Sequence, residues 1–211
     1  MSAASRKAAE SLAESLSKQV KHFSRTETRR LIHQFEGRCG QQPGRRAGSG
    51  LDRGQFRNML HRTFGLTHDI IMDRVFSVFD RDNDGYIGVR EWIAGLAVFL
   101  RGSLDEKIKF CFEVYDLNGD GAISREEMFH MLKWSLSRQP AEEDPEEGIK
   151  DLVEIVLKKM DHGHNSKVSY ADFEKTVREE NLLLEAFGTC LPNAKSIQAF
   201  EQQTFQDLPQ L

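Results

Sequence analysis

Acidic side chains crowd into residues 80–91, a twelve-residue stretch between two apolar segments. Gly85 stands at its sixth position, where a sharp turn with positive φ is needed, and Gly88 at the ninth leaves room for a water. Carboxylates this close repel one another unless a hard divalent cation with about six to eight oxygen ligands neutralises them. We therefore predict a calcium site here. Its predicted ligands are the side chains of Asp80, Asp82, Asp84 and Glu91 and the backbone carbonyl of Tyr86.

The same spacing recurs in residues 116–127. Gly121 stands at the turn position, and a glutamate again closes the loop, where both of its oxygens can reach the cation. Ser124 and Glu127 also have the spacing of a capping box, so the loop and the start of the next helix share residues. The predicted ligands are Asp116, Asn118, Asp120 and Glu127, the carbonyl of Ala122, and Ser124, directly or through a water.

A third stretch, residues 161–172, keeps the length of the pattern but has lost part of its ligands. Gly163 brings no oxygen at position 3, Ser166 replaces the turn glycine, and the closing Asp172 is one methylene shorter than glutamate. A serine at positive φ costs on the order of 1 kcal/mol, and one-oxygen closure shrinks the shell toward magnesium geometry. Calcium in this loop is left open, with magnesium as the alternative. The remaining candidate ligands are Asp161, Asn165, the carbonyl of Lys167, and Asp172.

Each of the three stretches lies between segments whose apolar residues repeat at helical spacing. A unit of helix, loop and helix is therefore expected at 80–91, 116–127 and 161–172, and a fourth, degenerate copy upstream. In that copy the loop is expanded to residues 36–55 and carries arginines where acidic ligands would stand. The acidic, proline-containing segment 137–145 indicates a linker.

These repeats predict an all-α fold of two lobes, each made of two paired units, with short β pairing between loops. We assign residues 1–23 to an N-terminal helix and 24–101 to the N-terminal lobe, which holds the degenerate copy and the first complete loop. The C-terminal lobe is expected at 102–180, and further helices within 181–211.

Several large apolar side chains are candidates for a groove that opens on metal binding and receives a partner helix. For any single one of them, burial against a neighbouring helix is the more usual fate. The candidate groove residues are Met72, Trp92, Met128, Met131 and Trp134.

Charge and composition narrow the classes of function. The net charge is −4, yet residues 1–65 carry 13 Lys and Arg against 5 Asp and Glu, so a basic front end precedes an acidic body. Three widely spaced cysteines without a CxxC pair favour a reducing, cytoplasmic location. The residue after Met1 is Ser2, so the glycine that N-myristoylation requires is missing and we expect no membrane anchor.

No catalytic arrangement is apparent in the sequence. The histidines have no nucleophile or paired acid at suitable spacing, and there is no GxxxxGK[ST] phosphate loop. His162 and His164 are interpreted as solvated loop residues, because no further His or Cys stands at the spacing of a transition-metal site. We expect a protein that is not an enzyme and does not bind nucleic acid.

These features together resemble the neuronal calcium sensor group of EF-hand proteins. Four hands with the first disabled, an acidic insert before the fourth, and the stretch FLRGSLDEKIKFCFEVYDLNGDG at 99–121 are similar to that group. Within it, the stretches at 51–76, 142–161 and 178–192 resemble members that act in cilia and sperm flagella. That resemblance implies an axonemal location, with the outer-arm dynein heavy chain and the outer-arm docking components as partners.

Three other functions remain open from the residues. A passive calcium buffer would expose little new apolar surface on binding. A calcium-dependent regulator of a membrane enzyme or channel would resemble other members of the group. A structural linker of the axoneme would bind through its basic segment, between Arg6 and Arg62, whether or not calcium is present.

Overall fold

Helices dominate the protein, as expected. The computed structural model describes residues 3–39, 50–136 and 145–206. Its α-helices are α1 (Ala3–Gln19), α2 (Arg25–Cys39), α3 (Arg53–Met59), α4 (Asp69–Phe79), α5 (Val89–Arg101), α6 (Leu104–Tyr115), α7 (Arg125–Leu136), α8 (Pro145–Met160), α9 (Tyr170–Glu179) and α10 (Ala194–Phe205). A π-helical turn at Leu60–Phe64 extends α3, and a 3-10 helix covers Asn181–Glu185.

Short strands join the loops in pairs, which confirms the predicted β pairing. Strand β1 (Leu51–Asp52) runs antiparallel to β2 (Tyr86–Ile87), with Leu51 opposite Ile87. Strand β3 (Ala122–Ser124) runs antiparallel to β4 (Lys167–Ser169), with Ile123 opposite Val168. The degenerate first copy therefore keeps its strand.

Capping boxes fix the starts of two helices. Ser24 N–H donates to Glu27 Oε2 over 2.8 Å, and Glu27 N–H donates back to Ser24 Oγ over 3.3 Å. Ser103 and Glu106 form the same reciprocal pair at the start of α6. In each box, orphan N–H groups of the first turn gain acceptors.

The chain forms two compact units. Unit 1 comprises residues 1–65, 79–102 and 192–211, and unit 2 comprises 66–78 and 103–191. This division differs from the predicted segments, because the N-terminal helix and α10 belong to unit 1, while most of α4 belongs to unit 2.

Aromatic rings build the core of unit 1. The Phe79 ring lies 4.9 Å from that of Phe56 and 5.2 Å from that of Phe99, and Phe64 in turn contacts Phe99 at 5.6 Å. Phe200 of α10 packs on Phe64 with 5.5 Å between ring centroids. The C-terminal helix is therefore anchored in the apolar core of this unit.

Arg101, the last residue of α5, ties together several parts of unit 1. Its guanidinium donates to Glu27 Oε1 and Glu201 Oε1, each over 2.7 Å, and lies about 5 Å from the ring centroids of Phe23 and Phe205. The Arg101 hydrogen bond, together with donors from Ser24, lowers the pKa of Glu27 to about 2. This cluster holds α10 and the start of α2 at the end of α5.

Unit 2 is built around Tyr115, which is fully buried at the end of α6. Its ring lies 5.2 Å from that of Phe187 and 6.3 Å from that of Phe173, and its hydroxyl donates to the carbonyl of Gly188 over 2.6 Å. Burial raises its pKa well above the usual value. The segment after α9 thus packs as part of the core of unit 2. Within the described ranges, the helices are too short or too polar to cross a bilayer.

Candidate metal centres

Loop 80–91 gathers three carboxylates at one point. One oxygen from each of Asp80, Asp82 and Asp84 lies within 4.8 Å of the others. The helix α4 ends at Phe79, so Asp80 is the first residue free to turn its side chain into the loop. Oxygens that converge in this way fit a hard divalent cation, which replaces their mutual repulsion with attraction.

Backbone N–H groups hold these carboxylates in place. Asp80 Oδ1 accepts from the N–H of Asp84 over 3.1 Å, and its Oδ2 accepts from the N–H of Gly85 over 3.0 Å. Asp84 Oδ1 accepts from the N–H of Tyr86 over 2.7 Å. Gly85 has φ +84°, a conformation that glycine adopts without steric cost. The ligand geometry is thus fixed by the local backbone.

Glu91 closes the loop from the first turn of α5. Its Oε1 accepts from the N–H of Arg81 over 2.7 Å, ten residues earlier, while its Oε2 accepts from the N–H of Gly88 over 2.8 Å. The side chain therefore spans the loop and brings both oxygens to its interior. This reach is what a two-oxygen ligand at position 12 requires.

Loop 116–127 repeats the arrangement. Asp116 accepts from the N–H groups of Gly119 and Gly121 over 2.8 and 2.9 Å. Glu127 Oε1 accepts from the N–H of Leu117 over 2.9 Å, and its Oε2 accepts from the N–H and hydroxyl of Ser124, each over 2.8 Å. The predicted double role of Ser124 and Glu127, as helix cap and loop closure, is present.

Two further predicted ligands of this loop, Asn118 and Asp120, lie side by side. Asn118 Oδ1 accepts from the N–H of Asp120 over 2.8 Å, and Asn118 Nδ2 donates to Asp120 Oδ2 over 3.2 Å. The N–H of Ala122 donates to Asp120 Oδ1 over 3.0 Å and is the largest cause of the lowered pKa of Asp120. The carboxylate is therefore held in its charged form, which a metal ligand needs.

An arginine outside loop 116–127 binds the backbone where helix α6 leads into that loop, a contact that the sequence pattern did not predict. Arg74 of α4 donates to the carbonyls of Glu113, Val114 and Asp116, at 3.1, 3.1 and 2.7 Å. These carbonyls lie at the C-terminal end of α6, where unpaired acceptors and the helix dipole favour a cation. Loop spacing carries no signal for this contact, since Arg74 belongs to a different hand.

Loop 161–172 keeps the fold of the other two but closes differently. Asp161 accepts from the N–H groups of Asn165 and Ser166 over 3.2 and 2.7 Å, as at the first position of the complete loops. Asp172 Oδ2 accepts from the hydroxyl of Ser169 over 2.7 Å, as Glu127 Oε2 does from Ser124, but within the described residues the Asp172 carboxylate has no bond to the opposite side of the loop. Ser166 has φ +62°, the strained conformation expected at the turn position. The shorter carboxylate of Asp172 therefore takes part in the capping box of α9 and does not reach across the loop.

The residue at position 4 of each loop also has a left-handed backbone conformation, which the sequence pattern did not predict. It is Asn83 with φ +56°, Gly119 with φ +72° and His164 with φ +53°. Asparagine and glycine tolerate this region better than most residues, so a signal was available in the first two loops. The predicted carbonyl ligands occupy equivalent places too, since Tyr86, Ala122 and Lys167 each begin a strand.

The residues predicted to line an apolar groove on metal binding are mostly buried in this structure. Met72, Trp92, Met128 and Met131 are each at most 3% exposed, whereas Trp134 is 47% exposed. The four buried residues lie in apolar cores, and Trp92 belongs to a different unit from the others. Helix stripes are usually buried in this way.

One histidine and two cysteines of unit 2 have protein partners that suggest structural roles. His162 Nε2 lies 3.1 Å from Thr176 Oγ1, so this exposed loop histidine has a protein partner. The Sγ atoms of Cys111 and Cys190 are 3.3 Å apart, both thiols are free and buried, and burial raises the pKa of Cys111. A raised pKa disfavours the reactive thiolate.

Comparison with known proteins agrees with this geometry. The family model of an EF-hand domain pair matches residues 105–178, and that of a single EF hand matches residues 71–97. Calaxin of Danio rerio is 66% identical over 95% of this chain and 96% of its own length. Calaxin of Xenopus laevis is 64% identical over 96% and 98%, and that of Homo sapiens 61% identical over 96% of each. These relatives and the EF-hand matches support a calcium sensor. The chain belongs to the calaxin family of EF-hand proteins.

Proposed function

We propose that this protein is a calcium sensor that regulates outer-arm dynein in the axoneme of cilia or flagella. The observation that carries the sensor is the pair of complete loops, each closed by a glutamate that reaches across it over 2.7 to 2.9 Å. The dynein assignment is supported by the resemblance to ciliary members of the neuronal calcium sensor group and by the high identity to calaxins.

Two calcium ions are proposed, one in each complete loop. Both loops offer four side-chain oxygen ligands and a strand carbonyl, and their carboxylates are already oriented by backbone N–H groups. Calcium, magnesium and no ion are the alternatives for loop 161–172, because Gly163 brings no oxygen and the Asp172 carboxylate, among the described residues, accepts only from Ser169 on its own side of the loop. Affinities in the range of sensors, about 10⁻⁷ to 10⁻⁵ M, are expected for the complete loops.

Binding has a direct route to the helices. Glu91 and Glu127 lie in the first turns of α5 and α7, and their oxygens now accept backbone N–H bonds from the opposite side of the loop. A cation that takes up these oxygens pulls on the first turn of each helix. Reorientation of α7 would bring the buried Met128 and Met131 toward the surface, where a partner helix could dock.

The proposed partners are the outer-arm dynein heavy chain and the outer-arm docking components. Purified outer-arm dynein, immobilised on a sensor surface, tests this assignment. The full chain should bind at micromolar free calcium and dissociate in chelator. The double variant Glu91→Gln/Glu127→Gln should lose this dependence, while Glu147→Gln, which removes an exposed carboxylate from α8, should behave like the unmodified chain.

Other outcomes point to the competing functions. Equal binding in calcium and chelator, weakened by salt, would support a structural linker. An apolar dye that stays dark on calcium addition would support a passive buffer. Calcium-driven sedimentation with lipid vesicles, without dynein binding, would support a regulator at membranes.

A further inference from the structure

Lys167 brings a positive charge to a metal loop that is not its own. It begins β4 in loop 161–172 and lies opposite Ser124 of β3. Its Nζ is 3.5 Å from Oδ2 of Asp120, the residue at position 5 of loop 116–127. The loop spacing predicts only a carbonyl role for Lys167, whereas the structure places its ammonium beside a predicted ligand of the neighbouring loop.

The two oxygens of Asp120 have different partners. Oδ1 accepts from the N–H of Ala122 over 3.0 Å, a bond within the loop backbone. Oδ2 lies near the Asn118 amide at 3.2 Å and near the Lys167 ammonium at 3.5 Å. Both oxygens belong to one carboxylate, whose charge the nearby ammonium of Lys167 partly offsets.

We infer that Lys167 acts as an internal counter-cation that weakens calcium binding at loop 116–127. A doubly charged ion bound to the Asp120 carboxylate repels the ammonium and weakens its ion pair. Calcium binding therefore includes the weakening of this pair and a like-charge repulsion that persists afterwards. This inference rests on the proposed calcium binding at loop 116–127.

Loop 80–91 has no such counter-cation at the equivalent place. The strand register sets Leu51 opposite Ile87 just as it sets Val168 opposite Ile123, so the counterpart of Lys167 is Gly50. A Cβ atom on Gly50 would lie 2.2 Å from the Ile87 carbonyl oxygen, so a side chain there would force the backbone to move. Among the described residues, a counter-cation at this strand position is therefore specific to loop 116–127.

The size of the effect is limited by solvent. The side chains of Lys167 and Asp120 are 49% and 40% exposed, so water and salt screen their interaction. We expect loop 116–127 to bind calcium about 3- to 10-fold more tightly once the charge is removed.

Calorimetric titration of calcium tests this on the full chain with Glu91→Gln, which isolates loop 116–127 from loop 80–91. Adding Lys167→Met should lower Kd by about 3- to 10-fold. Lys167→Gln is a second neutral variant, used in case methionine disturbs β4, and should lower Kd by the same factor. Lys167→Arg keeps the charge and should leave Kd within about 2-fold. Lys175→Met, which removes an exposed charge from α9, is the matched control and should also leave it unchanged.

Salt provides a second readout. The Kd ratio between the lysine and methionine forms should shrink toward one between about 0.02 M and about 0.5 M KCl, because added ions screen the ammonium. An unchanged Kd in both neutral variants, or an equal shift in Lys175→Met, would overturn the inference. A ratio that is insensitive to salt would overturn it too, since packing rather than charge would then be the cause. If no variant gives a heat of calcium binding, the proposed calcium site in loop 116–127 is itself contradicted.

Discussion

Each unit pairs one complete loop with one incomplete loop, but the two incomplete loops keep different parts. In unit 1 the partner of loop 80–91 has kept the strand β1. It has also kept the capping box at the start of α3, in which Asp52 accepts from the N–H of Gln55 over 2.8 Å. In unit 2 the partner of loop 116–127 has kept the conformation of a twelve-residue loop. Its first residue, Asp161, accepts the N–H of Ser166 from the turn.

What both incomplete loops share is the strand. The residues at its centre are buried in both units, with Leu51 and Ile87 at 2% and 0% exposure and Ile123 and Val168 at 0%. Pairing depends on backbone hydrogen bonds and on these apolar side chains, so it does not require metal ligands. Ligand loss therefore leaves the paired architecture intact, and an incomplete loop can still support its complete neighbour.

The largest effect is expected from the closing glutamates. Glu127→Gln and Glu91→Gln each remove the charge of a two-oxygen ligand and should weaken calcium binding at their own loop by about 100-fold or more. Calorimetry should then count one ion fewer in either variant. The control is Glu126→Gln, an exposed neighbour of Glu127 in the first turn of α7. Unchanged stoichiometry in both variants would show that the loops are wrongly assigned.

A gain of function tests why loop 161–172 differs from its neighbour. The combined change Gly163→Asp, Ser166→Gly and Asp172→Glu restores the missing ligand, the turn glycine and the longer closing side chain. Calcium affinity at this loop should rise by about 100-fold, into the sensor range, and titration should count one further ion. If the count does not rise, features beyond the ligand set separate the two loops of unit 2.

Unit 1 should respond to acid through the Arg101 cluster. The pKa of Glu27 is lowered from 4.5 to about 2 in the folded chain, mainly by Arg101, so its stabilisation is complete above the unfolded pKa and is lost as pH falls from about 4.5 to about 2. Because Glu27 is partly exposed, Glu27→Gln should lower the free energy of unfolding at pH 7 by about 1–2 kcal/mol.

Urea unfolding measures this effect in a Trp134→Phe background, where the buried Trp92 reports on unit 1. The difference in unfolding free energy between the background chain and its Glu27→Gln variant should be constant above about pH 5 and should vanish near about pH 2. Glu14→Gln, which breaks an exposed pair with Lys18, should leave the midpoint unchanged. A difference that persists in acid would assign the stabilisation to packing and not to charge.

The smallest effect concerns the turn residues of the paired loops. Ser166→Gly should stabilise the calcium-free chain by about 0.5–1 kcal/mol, because glycine adopts φ +62° without strain. The converse change, Gly121→Ser at φ +84°, should destabilise it by about 1 kcal/mol. Urea unfolding in chelator, followed by circular dichroism, measures both. Shifts of the same sign in the two variants would contradict this account.

The loops were predictable because their chemistry is local. Asp80 and Glu91, or Asp116 and Glu127, are brought together by a short turn, so spacing alone fixes which oxygens can converge. The capping boxes at Ser24 and Ser103 are local for the same reason. Apolar periodicity identifies the face of a helix but not what covers it, so the sequence left both core packing and a groove open for the five candidate residues. Four of the five are buried in this structure.

The sequence by itself determined the all-α architecture, the paired strands and the places of the acidic loops, because these follow from helical periodicity and from turns of fixed length. Only the tertiary structure decided that Arg101 holds α10, that Arg74 secures the entry to loop 116–127, and that Lys167 faces Asp120. Each of these contacts joins residues about 40 to 100 positions apart. Their geometry depends on how whole helices and strands pack, which no local pattern encodes.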